Sequence, residues 1–209
     1  MQRTDFTKEL TIIGLTGSIG MGKTTTANMF QSAGVPVFDS DAMVHRMQAP
    51  GGEALPHIEA EFHGVVQKGV LDRLALGELV FKEQKKLERL QNIIYPLLHE
   101  RRRNFFAHAL RKGKDIVLVD VPLLFETGGD QAVDLVIVVD APLDVQRERV
   151  LSRIGMTEEK FQNILSKQLP NQEKVHRADF VIDTSHGKEA AQQQVEHILA
   201  TIRQGLKNE

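Results

Sequence analysis

The amino-acid sequence predicts an α/β fold in which a parallel sheet is covered by helices. Short apolar runs rich in β-branched residues recur along the chain, and most of them end at an acidic residue. Strands that are apolar on both faces are typical of parallel sheets buried beneath helices. The segments between the runs have helical periodicity, so strands and helices alternate. Ligand sites of such sheets gather at the carboxyl ends of the strands, which makes the acids there candidate site residues.

Five apolar runs are predicted strands. They are TIIGLT at 11–16, VPVF at 35–38, IVLVD at 116–120, LVIVVD at 135–140 and FVID at 180–183. A helix is predicted from the Lys/Thr-led segment after the first strand to about Phe30, and another over about 187–206. These elements form the predicted core of the domain.

Two stretches of helical pattern interrupt the strands. From about 48 to 112 the sequence is charged and Leu-rich, which predicts a helical substrate-binding insertion in which Pro96 divides one helix from the next. From Pro142 to about Gln168 the pattern is again helical and carries several arginines, with a helix end at Gly155 and a new N-cap at Thr157. An arginine-bearing helical stretch of this kind is expected to form a lid over phosphates.

The length and composition limit the possible functions. The 209 residues are 41% hydrophobic and predict a single domain at about 10–207. Its core would comprise about 10–47, 113–145 and 176–207, with the insertion at about 48–112 and the lid at about 146–175. The formal net charge of -2 favours neither nucleic acid nor an anionic membrane as a partner. A monomer or small homo-oligomer is expected.

Cysteine usage and hydropathy bear on the compartment. The chain has no cysteine, which removes disulfides and thiolate metal sites and fits a reducing compartment. The N-terminal segment MQRTDFTKEL is polar, and no apolar run approaches the roughly 20 residues that span a bilayer. The sequence therefore predicts a cytoplasmic protein that neither enters a membrane nor is secreted.

A phosphate-binding loop is the clearest motif in the chain. Residues 17–24 read GSIGMGKT and match G-x-x-x-x-G-K-[ST] between a predicted strand and a predicted helix. Its glycines let the backbone N–H groups approach a phosphate closely, and the helix N-terminus adds positive potential. The predicted nucleotide-binding residues in the loop and first helical turn are Gly17, Gly20, Met21, Gly22, Lys23, Thr24 and Thr25.

Three side chains of this motif have separate expected roles. Lys23 is expected to reach oxygens of the β- and γ-phosphates and to act in catalysis. The Thr24 hydroxyl can complete an octahedral Mg²⁺ shell together with phosphate and water oxygens. Thr25 can hydrogen-bond the α-phosphate. The motif therefore predicts binding of a nucleoside triphosphate with Mg²⁺.

Two carboxylates follow the second predicted strand in the segment Asp39-Ser40-Asp41. One of them could orient an acceptor hydroxyl and receive its proton during phosphoryl transfer, and Asp41 is favoured for this role. The alternative is a helix N-cap, because Asp or Ser before AMVHRM also begins a helix well. Asp39 could be that cap, or a ligand to a Mg²⁺-bound water.

Several segments resemble one known family. They are LTGSIGMGKTT at 15–25, DSDAMVHRM at 39–47, GVLDRLALGELVF at 69–81, VDVPLLFE at 119–126 and ADFVIDTS at 178–185. In order and spacing the chain resembles the dephospho-CoA kinases, which are P-loop kinases of the nucleoside monophosphate kinase type. The resemblance implies a three-layer P-loop kinase fold with a central parallel sheet, a helical substrate-binding insertion and a helical lid. It also implies transfer from ATP–Mg²⁺ to the ribose 3′-hydroxyl of dephospho-CoA, which completes coenzyme A.

The resemblance also assigns roles to individual residues. Asp41 matches the family's catalytic acid. Arg149 matches a phosphate-binding lid arginine with a catalytic role, and Arg153 follows one turn later as its companion at the ATP, a spacing that predicts one helical face. The remaining implied substrate contacts are Asp39, Leu71, Asp72, Arg73 and Tyr95.

Asp120 ends a predicted strand and is expected to hold Mg²⁺ through water. It could equally be a turn former, and Asp140 competes for the metal role.

The sequence departs from the usual family pattern at three positions. The family usually has His where this chain has Tyr95, Asp where it has Ile154 and Asn where it has Thr184. A tyrosine can donate a hydrogen bond but is not cationic near neutral pH, so a phosphate contact at position 95 would be weakened.

Two other functions are compatible with parts of the sequence. A kinase of the same architecture could act on another nucleotide, such as a nucleoside monophosphate. A nucleotide-dependent switch would be expected to carry a guanine-reading N-K-x-D segment, which does not follow any predicted strand. The ordered motifs favour dephospho-CoA as the acceptor.

Overall fold

The computed structural model describes residues 9–206. This part of the chain divides into two compact units. The core unit comprises residues 9–37 and 109–206, and the inserted unit comprises residues 38–108.

The described residues form seven strands and nine α-helices. The strands are β1 (Thr11–Thr16), β2 (Val37–Asp39), β3 (Val66–Gln67), β4 (Val70–Leu71), β5 (Ile116–Asp120), β6 (Leu135–Asp140) and β7 (Phe180–Asp183). The helices are α1 (Lys23–Ser32), α2 (Ser40–Met47), α3 (Leu55–Glu61), α4 (Arg73–Val80), α5 (Gln84–Arg111), α6 (Leu143–Leu151), α7 (Glu158–Leu165), α8 (Asn171–His176) and α9 (Gly187–Leu206). A 3₁₀ helix spans Gly129–Ala132.

The main sheet has the strand order β2-β5-β1-β6-β7. Strand β1 pairs in parallel with β5 and β6, and β6 pairs in parallel with β7. On the other side of β5, the Leu118 N–H donates to the Pro36 carbonyl at 2.9 Å. The predicted α/β class with a parallel central sheet is confirmed. Four of the five predicted strands have the observed bounds. The second, predicted at 35–38, is observed as β2 at Val37–Asp39.

Burial explains why these runs form strands. Ile13, Leu15, Leu118 and Ile137 are inaccessible to solvent and pack in one cluster with residues of α1 and α9, including Phe30 and Ile198. Each such side chain contributes about 1.5–3 kcal/mol when it leaves water. Strand β1 lies between two neighbours, so the segment that leaves its carboxyl end starts from a fixed position.

The inserted unit has its own hydrophobic core, and one segment of the unit is a β-hairpin instead of a helix. Its buried cluster includes Met47, Ile58, Val80 and Ile94. Strands β3 and β4 form an antiparallel hairpin, whose turn places Lys68 at φ 52° and Gly69 at φ 77°. The prediction that the strand pattern stops throughout this region was wrong here, because two-residue strands are too short to produce a visible alternation.

Helix α5 corrects a second prediction. Pro96 lies inside this single 28-residue helix instead of dividing two helices. A proline in a helix interior removes one backbone hydrogen bond and usually kinks or breaks the helix. Leu90, Ile93, Ile94 and Leu97 flank it in sequence and pack in or against the cluster of the inserted unit. Tertiary packing of this apolar stripe therefore outweighs the local penalty.

Candidate active site

The predicted phosphate loop connects β1 to α1. Helix α1 begins at Lys23, directly after Gly22, whose backbone is left-handed with φ 90° and ψ 13°. A cavity of about 330 Å³ is lined by residues 17–25 together with Pro122, Arg153, Ile164 and Gln168. The first N–H groups of a helix lack partners within the helix and attract anions. The loop therefore presents the N-terminus of α1 to a cavity with cationic side chains.

Gly20 shows why the loop needs glycine. Its φ is 82°, and a Cβ atom there would lie 2.5 Å from Val150 Cγ2 and 3.0 Å from the Gln146 carbonyl oxygen. Both contacts belong to α6, so the loop is packed directly against the first helix of the predicted lid. A larger residue at position 20 would be strained in its backbone and would separate the loop from this helix.

Lys23 forms an ion pair with the Asp120 carboxylate. Asp120 ends β5 and is 4% exposed, so the pair lies at the carboxyl end of the sheet in a largely dehydrated position. Such a carboxylate holds the lysine ammonium near the loop when no phosphate is present. Asp140, the competing candidate for the metal role, accepts a hydrogen bond from Asn171 Nδ2 at 2.7 Å.

The guanidinium of Arg149 is held beside the loop. One nitrogen donates to Thr184 Oγ1 at 2.8 Å, and the other donates to the Thr184 carbonyl at 2.7 Å. Arg149 and Arg153 line one cavity of about 310 Å³ with loop residues that include Gly22 and Thr25. Both predicted arginines therefore line a cavity that the loop also lines.

The expected placement of Arg149 and Arg153 on one helical face was wrong. Helix α6 ends at Leu151 with Ser152 as its C-cap, so Arg153 lies beyond it, where its N–H donates to the Val150 carbonyl at 3.1 Å. The spacing of four residues was correct, but it crosses a helix end. By contrast, Thr157 caps α7 through a hydrogen bond from the Lys160 N–H at 3.3 Å, as predicted.

Thr184 links the arginine to the loop. Besides accepting from Arg149, its hydroxyl lies 2.9 Å from the Met21 carbonyl, to which it donates. The adjacent Asp183 accepts hydrogen bonds from the hydroxyl and the N–H of Ser185, which lower the pKa of Asp183 below its ordinary value. The nearby charge of Arg149 acts in the same direction. The carboxylate of Asp183 is therefore ionised near neutral pH.

The two carboxylates at the junction of β2 and α2 have separate positions in the inserted unit. Asp39 is the N-cap of α2 and accepts from the Ala42 N–H at 2.8 Å, which confirms one of its two expected roles. Asp41 lies in the first turn of the same helix and is exposed. Asp41 is therefore not the cap, and its carboxylate is accessible at the start of α2.

The predicted substrate residues of the inserted unit begin at the hairpin. Leu71 is buried in the core of the unit, and Asp72 caps α4 by accepting from the N–H groups of Leu74 and Ala75. Arg73 is exposed and its guanidinium contacts His45 Nδ1. Tyr95 is 44% exposed on α5. Leu71 and Asp72 thus fix the start of the helix that presents Arg73.

Sequence reasoning missed a set of polar side chains around the loop. Gln146, Gln168 and Asn171 hydrogen-bond to the backbone of Ser18 and Ile19. Lys174 is completely buried and pairs with Glu126 at 2.8 Å. Composition gave no usable signal, because the predicted lid contains other amides and lysines, such as Gln162, Asn163 and Lys160. The partners of the missed side chains lie far away in sequence, which no local pattern reveals.

Two features are absent from the described residues. Across residues 9–206, no group of three or more His, Cys, Asp or Glu side chains is arranged to hold a metal ion. Over the same range, no helix combines the length and the apolar character that crossing a bilayer requires.

Comparison with known proteins places the chain in a family. The family model described as dephospho-CoA kinase matches residues 11–189. A dephospho-CoA kinase from Mesorhizobium japonicum is 52% identical, with 92% of this chain and 96% of the relative covered. One from Rhodopseudomonas palustris is 50% identical, with coverage of 90% and 94%.

Solved structures show the same fold. The crystal structure of TT1252 from Thermus thermophilus aligns with a TM-score of 0.80 at 32% identity, covering 92% of this chain and 98% of that one. A dephospho-CoA kinase from Campylobacter jejuni has a TM-score of 0.61 at 22% identity, with coverage of 93% and 98%, and supports the three-layer α/β fold. On the family model and these relatives, the chain belongs to the dephospho-CoA kinase family.

Proposed function

We propose that this protein transfers the γ-phosphoryl group of ATP to the ribose 3′-hydroxyl of dephospho-CoA, which is the final step of coenzyme A synthesis. The observation that carries the proposal is the loop cavity, where the N-terminus of α1, Lys23 and Arg153 converge. Membership of the family supplies the acceptor. The same cavity alone would also fit a kinase for another nucleotide.

On the donor side, the chain supplies several positive groups for the triphosphate. The N–H groups at the start of α1 bind phosphate oxygens. The Lys23 ammonium leaves its ion pair with Asp120 and binds phosphate oxygens as well. Arg149 and Arg153 neutralise charge that shifts from the γ-phosphoryl group to the leaving ADP. Arginines that act in this way in other phosphoryl-transfer enzymes accelerate the reaction by about 10³–10⁵.

On the acceptor side, we assign the proton to Asp41. The 3′-hydroxyl oxygen forms a bond to the γ-phosphorus while the bond from that phosphorus to the β,γ-bridging oxygen breaks, and ADP leaves. The hydroxyl proton passes to the Asp41 carboxylate. The support is the exposed position of Asp41 at the start of α2, and the cap made by Asp39 holds that turn in place.

Mg²⁺ fits the oxygen donors of the site. Thr24 is an exposed residue on the first turn of α1 and offers a hydroxyl, and Asp120 supplies a carboxylate at the end of β5. Magnesium prefers oxygen ligands, usually one or two from the protein together with water and substrate phosphates. When bound, it neutralises charge on the transferred phosphoryl group.

The acceptor contacts are assigned to the inserted unit. Arg73 offers an exposed guanidinium for the anionic groups of dephospho-CoA, and Tyr95 offers an exposed hydroxyl. Leu71 and Asp72 support Arg73 from the core and the cap. A cytoplasmic location and a monomeric or small homo-oligomeric state stay predictions from sequence.

The test is ADP release by the purified protein from ATP and Mg²⁺. Dephospho-CoA, AMP, CMP and adenosine are compared as acceptors, and the products are identified by mass spectrometry. Phosphorylation of dephospho-CoA to coenzyme A is the expected result. Turnover with AMP or CMP alone would replace the proposed acceptor, and ATP binding without transfer to any acceptor would favour a switch.

A further inference from the structure

We propose that Gln168, Asn171 and Gln146 are positioning residues that hold the first half of the phosphate loop in its binding conformation. The Ser18 N–H donates to Asn171 Oδ1 at 2.9 Å, and the Ile19 N–H donates to Gln168 Oε1 at 3.1 Å. Gln146 Nε2 donates to the Ile19 carbonyl at 2.7 Å. These three side chains are called the amide clamp below. Its effect on turnover rests on the proposed function.

The orientation of Asn171 is fixed on both sides. Its Nδ2 donates to Asp140 Oδ1 at 2.7 Å and lies 3.3 Å from the Val139 carbonyl. The opposite assignment of the amide would face an N–H group of Ser18 with another donor and a carboxylate with an acceptor. Asp140 ends β6, so the clamp connects the loop to the strand beside β1.

The other members are also anchored. Gln146 is 2% exposed on α6. Gln168 precedes Leu169, whose N–H donates to Glu126 Oε1 at 2.8 Å. The same carboxylate pairs with the buried Lys174 at 2.8 Å. The acceptors that contact the loop therefore belong to segments with their own fixed partners, as a preorganised site requires.

The chemical type of the clamp matters as much as its geometry. Both acceptors of loop N–H groups are neutral amide oxygens, whereas carboxylates would accept the same bonds and add negative charge beside a phosphate. The clamp also engages Ser18 and Ile19, which leaves the binding of phosphate to donors further along the loop. Holding a glycine-rich loop in one conformation in advance reduces the ordering cost of binding.

Gln168 also lies in the wall between two cavities. Together with Ser18 and Met21 it lines both the loop cavity and a second cavity of about 610 Å³. The second cavity is also bounded by Leu143, Leu165 and other apolar side chains. Loss of the Gln168 side chain would therefore open the loop toward this space.

The test combines amide hydrogen exchange of the ligand-free protein, measured by NMR, with steady-state kinetics. We expect Gln168→Met to accelerate exchange of the Ile19 N–H and Asn171→Ala that of the Ser18 N–H, each about fivefold or more, for loss of one hydrogen bond. The exposed Gln172 supplies the matched control. We expect Gln172→Met to leave the exchange rates of both the Ser18 and the Ile19 N–H unchanged. In the steady-state kinetics, we expect Gln168→Met and Asn171→Ala to raise the KM for ATP about 5- to 30-fold, with a smaller change in kcat.

Gln168→Glu separates geometry from charge. It keeps the acceptor, so Ile19 exchange is expected to stay slow, while the added negative charge raises the KM for ATP. Unchanged exchange at Ser18 and Ile19 in the first two variants would overturn the clamp, as would acceleration spread equally over the strands of the core. If exchange changes as expected but dephospho-CoA is not phosphorylated, the clamp stands and the proposed function fails.

Discussion

The buried pair of Lys174 and Glu126 gives the sharpest prediction about stability. The Lys174 side chain is 0% exposed and the Glu126 side chain 17%, with their charged atoms 2.8 Å apart. Glu126→Gln leaves an ammonium group buried without a countercharge, which costs about 3–5 kcal/mol in comparable pairs. Lys174→Met replaces the buried charge with an apolar side chain of similar length, and Glu126 retains some access to water and the Leu169 N–H. We therefore expect Lys174→Met to cost only about 1 kcal/mol.

Urea unfolding measures this asymmetry. With a slope of about 2–3 kcal/mol per molar urea, a loss of 3 kcal/mol lowers the midpoint by about 1–1.5 M, and a loss of 1 kcal/mol by about 0.3–0.5 M. The double variant Lys174→Met/Glu126→Gln is expected to resemble Lys174→Met, because no buried charge remains. If Lys174→Met were the more destabilising single variant, the reasoning from burial would be refuted.

The same pair predicts a pH dependence. Burial alone would raise the pKa of Glu126, but the hydrogen bond and charge of Lys174 and the N–H of Leu169 outweigh it, so the pKa lies below its ordinary value. A carboxylate with a lowered pKa in the folded state stabilises the fold above its unfolded pKa of about 4.3, and this contribution is lost as the pH falls through the folded pKa. The difference in stability between the native protein and Glu126→Gln should be constant above about pH 5.5 and shrink below about pH 4.5.

Five further variants test the roles of Asp41, Lys23, Thr184 and Pro96. Asp41→Asn should lower kcat by about 10²–10⁴ with an unchanged ATP dissociation constant by calorimetry, and near-normal turnover would remove Asp41 as the base. Lys23→Ala should weaken ATP binding and lower kcat together, since the proposed role of the ammonium is to contact the phosphates in both the ground state and the transition state; full activity would contradict the loop assignment. Thr184→Val should lower kcat/KM for ATP about 5- to 10-fold by releasing Arg149, whereas Thr184→Asn should retain most of it. Pro96→Ala should raise the free energy of unfolding in urea by about 1–3 kcal/mol, and a decrease would show that the proline packs usefully.

The sheet and the loop could be predicted from sequence because their signals are local. Apolar runs that end at acids mark buried parallel strands, and the loop motif needs only a strand before it and a helix after it. The observed bounds of β1 and β5 agree with the predicted runs. The hairpin at Val66–Leu71 was missed, although Lys68-Gly69 is a sequence compatible with its tight turn. Its strands are simply shorter than the window in which alternation is detectable.

The surroundings of the loop could not be predicted in the same way. The contact between Ser18 and Asn171 spans 153 positions, and that between Ile19 and Gln168 spans 149. Gln168 lies between α7 and α8, and Asn171 is the first residue of α8. Each satisfies a backbone group that is far away in sequence, so neither leaves a periodic trace. Arg153 illustrates a related limit, because its expected face depended on a helix continuing two residues beyond its end at Leu151.

Thr184 shows how a departure from a family pattern can be judged from geometry. The position must accept a hydrogen bond from Arg149 and donate one to the Met21 carbonyl. An asparagine amide offers an acceptor and a donor, and so does a threonine hydroxyl. Tyr95 is a different case, because a histidine can carry a positive charge and a tyrosine cannot. The replacement at 184 therefore keeps the hydrogen bonds that hold the arginine, whereas the one at 95 removes a group that could carry a positive charge.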